Sequence, residues 1–269
     1  MDSKKENLLK NEVVKDLIEI VPTIEISEIE LLKSRKNLVL SLTLENPKDF
    51  PKKVIVKKMT SDARFSTETQ NLKSNRMKGI PVPKILAAQR PYLIIEKIEG
   101  RNLTDLVAEY IQNKEYHDKL EEIFQSLAVW LNNYHETNLI AKNRDEIEVL
   151  NKGDLRLKNF IYTGNKIYGI DFEEVHKGPP ENDLAEVIGS LITIDPGNIF
   201  TDDFLGGKID LIREFLNKYD ESSKEVKISL KKIVDLLYKY LQRVAKRREI
   251  EYNEKNLQKR MNRIVDELS

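Results

Sequence analysis

The stretch GDLRLKNF, residues 153–160, combines residue types that can do chemistry within a short polar loop. Asp154 lies five positions before Asn159, and Asp171 ends the segment NFIYTGNKIYGID that follows. Two short β-compatible runs around a Gly-Asn turn predict a hairpin in this segment. Because a hairpin brings its two ends together, we expect Asn159 and Asp171 to be neighbours.

The side-chain oxygen atoms of Asp154, Asn159 and Asp171 favour one kind of chemistry. Carboxylate and carboxamide oxygens, without histidine or cysteine, suit magnesium rather than zinc. Magnesium usually keeps substrate phosphates among its ligands, so the cluster points to phosphoryl transfer. Asp154 would then orient and deprotonate an attacking hydroxyl group. Ordinary polar ends of a hairpin explain any one of these residues, but they explain all three together less well.

A second set of charged residues lies earlier in the chain. Glu68 shares one face of a predicted helix with Phe65 and Leu72. A carboxylate on an apolar face is costly unless a cation meets it, and Lys57, in the preceding strand VIVKKM, is the expected partner. Taken alone, this pattern favours the simpler interpretation that Glu68 is semi-exposed.

The elements that must position these residues change in type along the chain. The first quarter reads as short strands, IEISEIELL, NLVLSLTL and VIVKKM, followed by a helix within 61–79 and a buried strand, YLIIEKI, at 92–98. From about residue 102 the apolar spacing becomes helical, as in LEEIFQSLAVWLNNYH and IVDLLYKYLQRV. Strands followed by helices predict an α+β protein with two lobes joined near 97–101.

Composition excludes several classes of function. The chain has no cysteine, so thiolate catalysis, disulfides and cysteine-ligated metals are excluded. It has 45 basic and 45 acidic residues, so no global field favours nucleic acid. A basic run near the C-terminus, RVAKRREIEY, predicts a solvated helix face rather than an RNA site. With a charged N-terminus and no apolar run of membrane-spanning length, we expect a soluble cytoplasmic protein without a membrane partner.

Taken in order, VIVK, a helix glutamate, GD-x-x-x-x-N and DF resemble the protein-kinase-like superfamily, and specifically its aminoglycoside phosphotransferase and choline kinase branch. GIPVP and YLIIEKIEGRNL also resemble that family's sequences, the latter at its hinge. The resemblance covers about residues 30 to 190. It implies a bilobal protein-kinase-like α+β fold in one domain, 1–269, with a small β-rich N-lobe (1–96) and a mainly helical C-lobe (97–269).

The resemblance implies ATP and Mg²⁺ as cofactors and assigns the nucleotide contacts. Lys57, held by Glu68, would position the α- and β-phosphates. Backbone groups of Glu96 and Ile98 would meet the adenine. The phosphate-covering loop departs from the family pattern, because LLKSRKNLVL contains no glycine and Arg35 with its neighbours occupies it.

The resemblance also assigns the catalytic residues. Asn159 and Asp171 would bind the magnesium ion, and Asp154 would act as base or orienter. Arg156, two residues after Asp154, would stabilise the transferred phosphate, although a solvated loop arginine is the simpler interpretation. Lys152 departs from the pattern, since the family usually has a histidine before Gly-Asp.

The function implied is ATP-dependent transfer of the γ-phosphate to a hydroxyl group of a small-molecule acceptor. Glu173 after the Asp-Phe pair favours this small-molecule branch. Two alternatives stay open: an atypical serine/threonine protein kinase, RIO-like or associated with tRNA modification, which would take a protein acceptor; and, less favoured, a non-catalytic nucleotide-binding pseudokinase. We do not expect nucleic acid as a partner.

Overall fold

The structure, a computed structural model, describes residues 3–268 apart from 22–23, 35, 46, 48–49, 112, 143–145, 196–197 and 202–206, with backbone only for 3–11 and 114. The chain forms two compact units. The first comprises Met1–Met77 and Val82–Ile98, and the second comprises Lys78–Pro81 and Glu99–Ser269. The predicted lobe boundary at residue 96 falls close to the end of the first unit. The assignment of the whole chain to a single domain stays a prediction.

The first unit is a five-stranded antiparallel sheet with two helices. Its elements are α1 (Ser3–Ile20), β1 (Ile26–Leu32), β2 (Leu38–Leu44), β3 (Lys53–Lys58), α2 (Asp62–Met77), β4 (Ile85–Gln89) and β5 (Tyr92–Glu96). The strand order is β1-β2-β3-β5-β4. The predicted strands β1, β2, β3 and β5 and the predicted helix α2 are thereby confirmed, and β3 lies at the centre of the sheet.

Helix α1 was not predicted, because its apolar stripe is short and set among charged residues. The stripe consists of Val13, Leu17 and Val21, which are buried in one cluster with residues of β2 and β3 such as Leu42 and Val54. Each fully buried aliphatic side chain stabilises the fold by about 1.5–3 kcal/mol. The helix therefore covers one face of the sheet and supports the strand that carries Lys57.

The second unit is mainly helical, with two small sheets. Its helices are α3 (Leu103–Tyr110), α4 (His117–Thr137), α5 (Glu181–Ile192), α6 (Lys208–Ser222), α7 (Leu230–Arg248) and α8 (Glu254–Leu268). Its strands are β6 (Arg101–Asn102), β7 (Leu139–Lys142), β8 (Ile147–Asn151), β9 (Phe160–Tyr162), β10 (Ile167–Gly169) and β11 (His176–Gly178). Short 3-10 turns occupy Lys114–Tyr116 and Leu157–Asn159. The apolar faces of α4 and α6 pack together, as do those of α5 and α7.

The two small sheets set the position of the loop formed by residues 152–159. One sheet has the order β11-β8-β7, and the other has the order β10-β9-β6. The loop runs from the end of β8 to the start of β9, so both of its ends are fixed by strand pairing. The predicted hairpin is confirmed as β9 and β10, with Gly164 at φ 99° in its turn. No helix in the described part of the chain is long and apolar enough to cross a membrane.

Candidate active site

Lys57 and Glu68 form a buried ion pair in the first unit. Lys57 lies on β3, opposite Val39 of β2 and Leu93 of β5, and Glu68 lies on α2. The Lys57 Nζ and Glu68 Oε1 atoms are 2.6 Å apart, and the Glu68 side chain has no solvent exposure. The interpretation of Glu68 as semi-exposed is therefore wrong. Lys58 points to the other face of the strand and meets Glu12 at 3.3 Å.

Side-chain hydrogen bonds hold the β1–β2 connection where the resemblance predicts a phosphate-covering loop. The Asn37 N–H donates to the Ser34 hydroxyl at 3.4 Å, and the Asn37 Oδ1 accepts the Thr60 N–H at 3.3 Å. The Thr60 hydroxyl donates to the Lys36 carbonyl. Arg35 lies outside the described residues. These bonds shape the connection without the glycines that the family pattern contains.

The segment predicted to meet adenine follows β5. The Glu96 N–H donates to the Lys84 carbonyl at 3.0 Å, so an adenine contact from Glu96 would have to use its carbonyl group. The Glu96 carboxylate accepts the Lys84 N–H at 2.8 Å and meets Arg76 at 3.4 Å. Ile98 is half-buried beyond the end of the strand. The roles predicted for Glu96 and Ile98 stay predictions.

In the 152–159 loop of the second unit, buried leucines alternate with polar side chains that are partly or fully exposed, over residues 154–158. Leu155 and Leu157 are fully buried, and their N–H groups donate to Glu186 and Ser190 of α5, each at 3.0 Å. The alternation of GDLRLKNF thus anchors the loop on α5 through its leucines. Asp154, between Gly153 and the first of these leucines, keeps part of its surface accessible.

Three residues of this region adopt left-handed backbone conformations. Gly153 has φ 65°, Asp154 has φ 45° and Asp171 has φ 65°. A Cβ atom on Gly153 would lie 2.4 Å from the Glu174 carbonyl oxygen, so only glycine fits there. Non-glycine residues in this conformation are uncommon, and they persist where the surrounding structure fixes them, often at functional sites. Both aspartates with predicted chemical roles share this feature.

Hydrogen bonds connect Asn159 with Asp154 and with Ile170, the residue before Asp171. The Asn159 side-chain amide donates to the Asp154 carbonyl at 2.8 Å, and the Ile170 N–H donates to the Asn159 carbonyl at 2.9 Å. Asp171 follows Ile170 directly, so the base of the hairpin brings the two predicted ligands to one place. Since the Asn159 amide nitrogen is used as a donor, its oxygen is the atom left to face a cation. The donor set fits a hard divalent ion.

Arg156 forms a bidentate ion pair with Asp154. Its Nε and Nη2 atoms donate to the two carboxylate oxygens. Burial alone would raise the pKa of Asp154, but the hydrogen bonds and charge of Arg156 hold that pKa below its ordinary value of 3.8. The interpretation of Arg156 as a solvated loop residue is wrong, because its side chain is 25% exposed and paired. Lys158, two residues further along the loop, is exposed.

A buried network supports the start of the loop from α4 and α5. His135 has no solvent exposure and contacts the Tyr219 hydroxyl at 2.7 Å and the Asp183 carboxylate at 3.1 Å. Asp183 in turn accepts the N–H groups of Lys152 at 2.7 Å and Gly153 at 3.3 Å. His135 is therefore structural.

Sequence reasoning missed the residues that α5 and α7 bring beside the loop. Glu186 Oε1 lies 3.7 Å from the Arg243 guanidinium, which lies 5.8 Å from the centre of the Tyr240 ring. Burial raises the pKa of Glu186 above its ordinary value. Arg156 and Asp154 lie close enough to Tyr240 for their charges to affect its pKa, which burial chiefly raises. Nothing in the spacing of GPPENDLAEVI distinguished Glu186 from a solvated helix residue.

Part of the chain matches a known family and a curated protein by sequence. The ecdysteroid kinase-like family model matches residues 85–206. The EKC/KEOPS complex subunit BUD32 of Encephalitozoon cuniculi (strain GB-M1) is 27% identical over 111 residues, 41% of this chain and 47% of that protein. The match therefore spans about half the length of that curated relative.

Solved structures match over nearly the whole chain. Amicoumacin kinase hAmiN, in complex with AMP-PNP, Ca²⁺ and Ami, has a TM-score of 0.60 at 15% identity and covers 99% of this chain and 96% of its own. Choline kinase LicA from Streptococcus pneumoniae has a TM-score of 0.57 at 18% identity, over 96% and 98%. Aminoglycoside phosphotransferases are also among the similar structures. The chain thus has the α+β protein-kinase-like fold. Its structural neighbours are those of the aminoglycoside phosphotransferase and choline kinase branch, as the sequence motifs predicted.

Proposed function

We propose that the protein is an ATP- and magnesium-dependent phosphotransferase that moves the γ-phosphate onto a hydroxyl group of a small-molecule acceptor. The observation that carries this proposal is the cluster at the base of the β9–β10 hairpin. There, the N–H of Ile170, the residue before Asp171, donates to the Asn159 carbonyl at 2.9 Å, and the Asn159 amide donates to the Asp154 carbonyl at 2.8 Å. Two oxygen ligands and a carboxylate base in one cluster are the protein groups that phosphoryl transfer requires.

In the first unit, Lys57 is the group proposed to bind the α- and β-phosphates. Its ammonium is held by Glu68 at 2.6 Å on the central strand, so its position is fixed before the nucleotide arrives. Such preorganisation avoids the reorganisation that a flexible surface lysine would undergo. Ile98 and the carbonyl of Glu96 are proposed to contact the adenine.

In the second unit, Asn159 and Asp171 are proposed to hold the magnesium ion, which would neutralise charge on the phosphate oxygens. The acceptor oxygen attacks the γ-phosphorus as its proton passes to the Asp154 carboxylate. The bond between the γ-phosphorus and the β–γ bridging oxygen breaks, and ADP leaves with the bonding electrons. Arg156 is proposed to stabilise the negative charge of the transferred group.

The acceptor is proposed to bind beside α5 and α7. Glu186, Tyr240 and Arg243 supply a carboxylate, an aromatic ring and a cation next to the 152–159 loop. These groups suit a small polar acceptor with hydroxyl groups. The structural neighbours are named as kinases of amicoumacin, choline and aminoglycosides, all of which are small molecules.

An atypical serine/threonine protein kinase is the second candidate. It is kept because of the sequence match to the EKC/KEOPS complex subunit BUD32, which covers 41% of this chain. The likeness to choline kinase LicA covers 96% of the chain. We therefore prefer the small-molecule acceptor, and a protein acceptor becomes an outcome of the test. A non-catalytic pseudokinase fits less well, since each predicted polar residue is present.

The test is ATP consumption with Mg²⁺ over a panel of hydroxyl-bearing metabolites, run beside autophosphorylation and casein phosphorylation with labelled ATP. We expect at least one metabolite to stimulate ADP release. Asp154→Ala should lower that stimulated rate by about 10²–10⁴-fold while nucleotide affinity stays near that of the wild type. Label transfer only to protein would favour the second candidate. An equal rate in Asp154→Ala would refute the role of Asp154.

A further inference from the structure

Lys152, the first residue of the 152–159 loop, is fully buried. Its Nζ atom donates to the main-chain carbonyl of Asp171 at 2.9 Å. The same atom lies 4.9 Å from the ring centre of Phe172 and 5.7 Å from that of Phe160. Lysine is almost never fully buried unless it is paired, because an ammonium group loses its hydration there. These contacts offset part of that loss.

The contacts of Lys152 fall on residues directly beside the proposed magnesium ligands. Phe160 follows Asn159 in the chain, and Phe172 follows Asp171. The third contact is the carbonyl of Asp171 itself, a residue at φ 65°. That backbone conformation is unfavourable for aspartate and must be imposed by its surroundings. A hydrogen bond from a buried side chain to the carbonyl of the same residue is such a restraint.

We propose that Lys152 is a positioning residue that fixes the main chain of Asp171, so that the Asp171 carboxylate is presented for divalent-cation binding. This inference rests on the proposed function. Outer partners of metal ligands commonly act in this way by orienting the ligand. The inference also explains how the chain maintains the site with a lysine where the resemblance predicts a histidine, since both side chains offer an N–H donor.

Lys152 has two opposite effects on metal affinity, so the direction in which affinity changes when Lys152 is replaced distinguishes between them. A buried ammonium group near a divalent cation repels it, so the charge of Lys152 alone would weaken metal binding. Its charge is offset in part by Asp154, whose pKa it helps to lower after the larger effects of burial and Arg156. The carboxylate of Asp183 also accepts a hydrogen bond from the main-chain N–H of Lys152 at 2.7 Å. We therefore expect the loss of positioning to exceed the relief of repulsion.

Three variants isolate this role. Lys152→Met keeps an unbranched side chain without donor or charge, and Lys152→His restores a donor. Lys208→Met is the matched control, because Lys208 is also fully buried and donates to a main-chain carbonyl, that of Ile194. Mn²⁺ affinity in the presence of AMP-PNP, measured by electron paramagnetic resonance, should fall about 10–100-fold in Lys152→Met. It should recover in Lys152→His and match the wild type in Lys208→Met, which should lose only thermal stability.

A second measurement does not depend on metal or nucleotide. Amide hydrogen exchange of the segment 170–174 should become faster in Lys152→Met but not in Lys208→Met, because the restraint on Asp171 is lost only in the former. Unchanged exchange overturns the inference, and so does unchanged or tighter Mn²⁺ binding in Lys152→Met. A wild-type protein that binds neither Mn²⁺ nor AMP-PNP would instead overturn the proposed function. The exchange result would still decide whether Lys152 fixes Asp171.

Discussion

The guanidinium of Arg156 holds both carboxylate oxygens of Asp154, so two residues with separate predicted roles are paired with each other. Bidentate pairs of this kind are among the stronger hydrogen-bonded interactions in proteins. Each carboxylate oxygen keeps a second lone pair, so the acceptor hydroxyl proposed to donate to Asp154 would share an oxygen with Arg156. The pairing therefore fixes the orientation of the proposed base and, through the guanidinium charge, lowers its pKa.

Arg156→Met should move the acid limb of the pH–rate profile to higher pH. In the wild type, burial would raise the pKa of Asp154, and Arg156 outweighs that effect and holds it below 3.8. Without the guanidinium, burial dominates, so Asp154 becomes protonated, and inactive as a base, at a higher pH. The measurement is kcat/KM against pH for both proteins.

The Arg156–Asp154 pair should also stabilise the folded protein at neutral pH, because it lowers the pKa of Asp154 in the folded state. A carboxyl group with a folded-state pKa below its unfolded value stabilises the fold above the unfolded value. That contribution is lost as the pH falls through the lower, folded-state value. The stability difference between the wild type and Arg156→Met, from urea unfolding, should thus be present at pH 7, begin to shrink as the pH falls through the raised pKa of Asp154 in the variant, and be lost below the lowered pKa of the wild type. A difference that stays constant over this range would contradict the assignment.

Lys57→Met should remove most activity, whereas Lys58→Met should not. Lys57 contacts the buried Glu68, while Lys58 is 30% exposed and contacts the exposed Glu12. Loss of a preorganised phosphate contact is expected to lower kcat by about 10²–10³-fold. An exposed ion pair contributes about 0–1 kcal/mol, so Lys58→Met should change the free energy of unfolding little. Steady-state kinetics and urea unfolding of the two variants provide the measurement.

A double variant separates catalysis from folding. Lys57→Met removes the ammonium group that meets the buried Glu68 carboxylate, and a broken buried pair costs about 3–5 kcal/mol. Lys57→Met combined with Glu68→Gln also removes the carboxylate charge, so it should regain stability without regaining activity. Recovery of both together would mean that Lys57 matters only for folding.

The sequence predicted the residues whose chemistry is fixed by type and spacing. Asp154, Asn159 and Asp171 could be proposed from their residue types and spacing, and the predicted hairpin that places Asn159 and Asp171 at its base is confirmed. The burial of Glu68 could not be derived from its helix face alone, since it depends on where β3 directs Lys57. Pairing of Arg156 with Asp154 is a rotamer choice within a loop, and spacing does not encode it. The contacts of Lys152 depend on the packing of Phe160 and Phe172, which no local pattern reports.

Gly153→Ala should destabilise the protein more than Gly164→Ala. Both glycines have positive φ, 65° and 99°, so each alanine incurs about 1–2 kcal/mol of conformational cost. Only at Gly153 would the new Cβ meet an atom, the Glu174 carbonyl oxygen at 2.4 Å, whereas nothing lies within 4 Å at Gly164. Thermal unfolding should show a larger loss for Gly153→Ala, and its kcat should fall because Asp154 is adjacent. Equal losses in the two variants would show that the clash is relieved by backbone movement.

Asn159→Ala should weaken divalent-cation binding and activity together, whereas Asn165→Ala should alter neither. Asn159 is proposed to bind the ion through its side-chain oxygen, and its amide nitrogen donates to the Asp154 carbonyl at 2.8 Å. Asn165 lies in the exposed hairpin turn, so Asn165→Ala is a matched control that removes the same side chain away from the proposed site. Because magnesium binds through few protein ligands, loss of one should raise the Mg²⁺ concentration needed for half-maximal activity. The measurement is a Mg²⁺ titration of ATP turnover, after EDTA treatment has first reduced the wild-type rate to background.

If saturating Mg²⁺ restores Asn159→Ala to the wild-type kcat, Asn159 serves metal affinity alone. If it does not, the tether to Asp154 is part of the catalytic arrangement. Identical titrations for Asn159→Ala and the wild type would exclude Asn159 as a ligand.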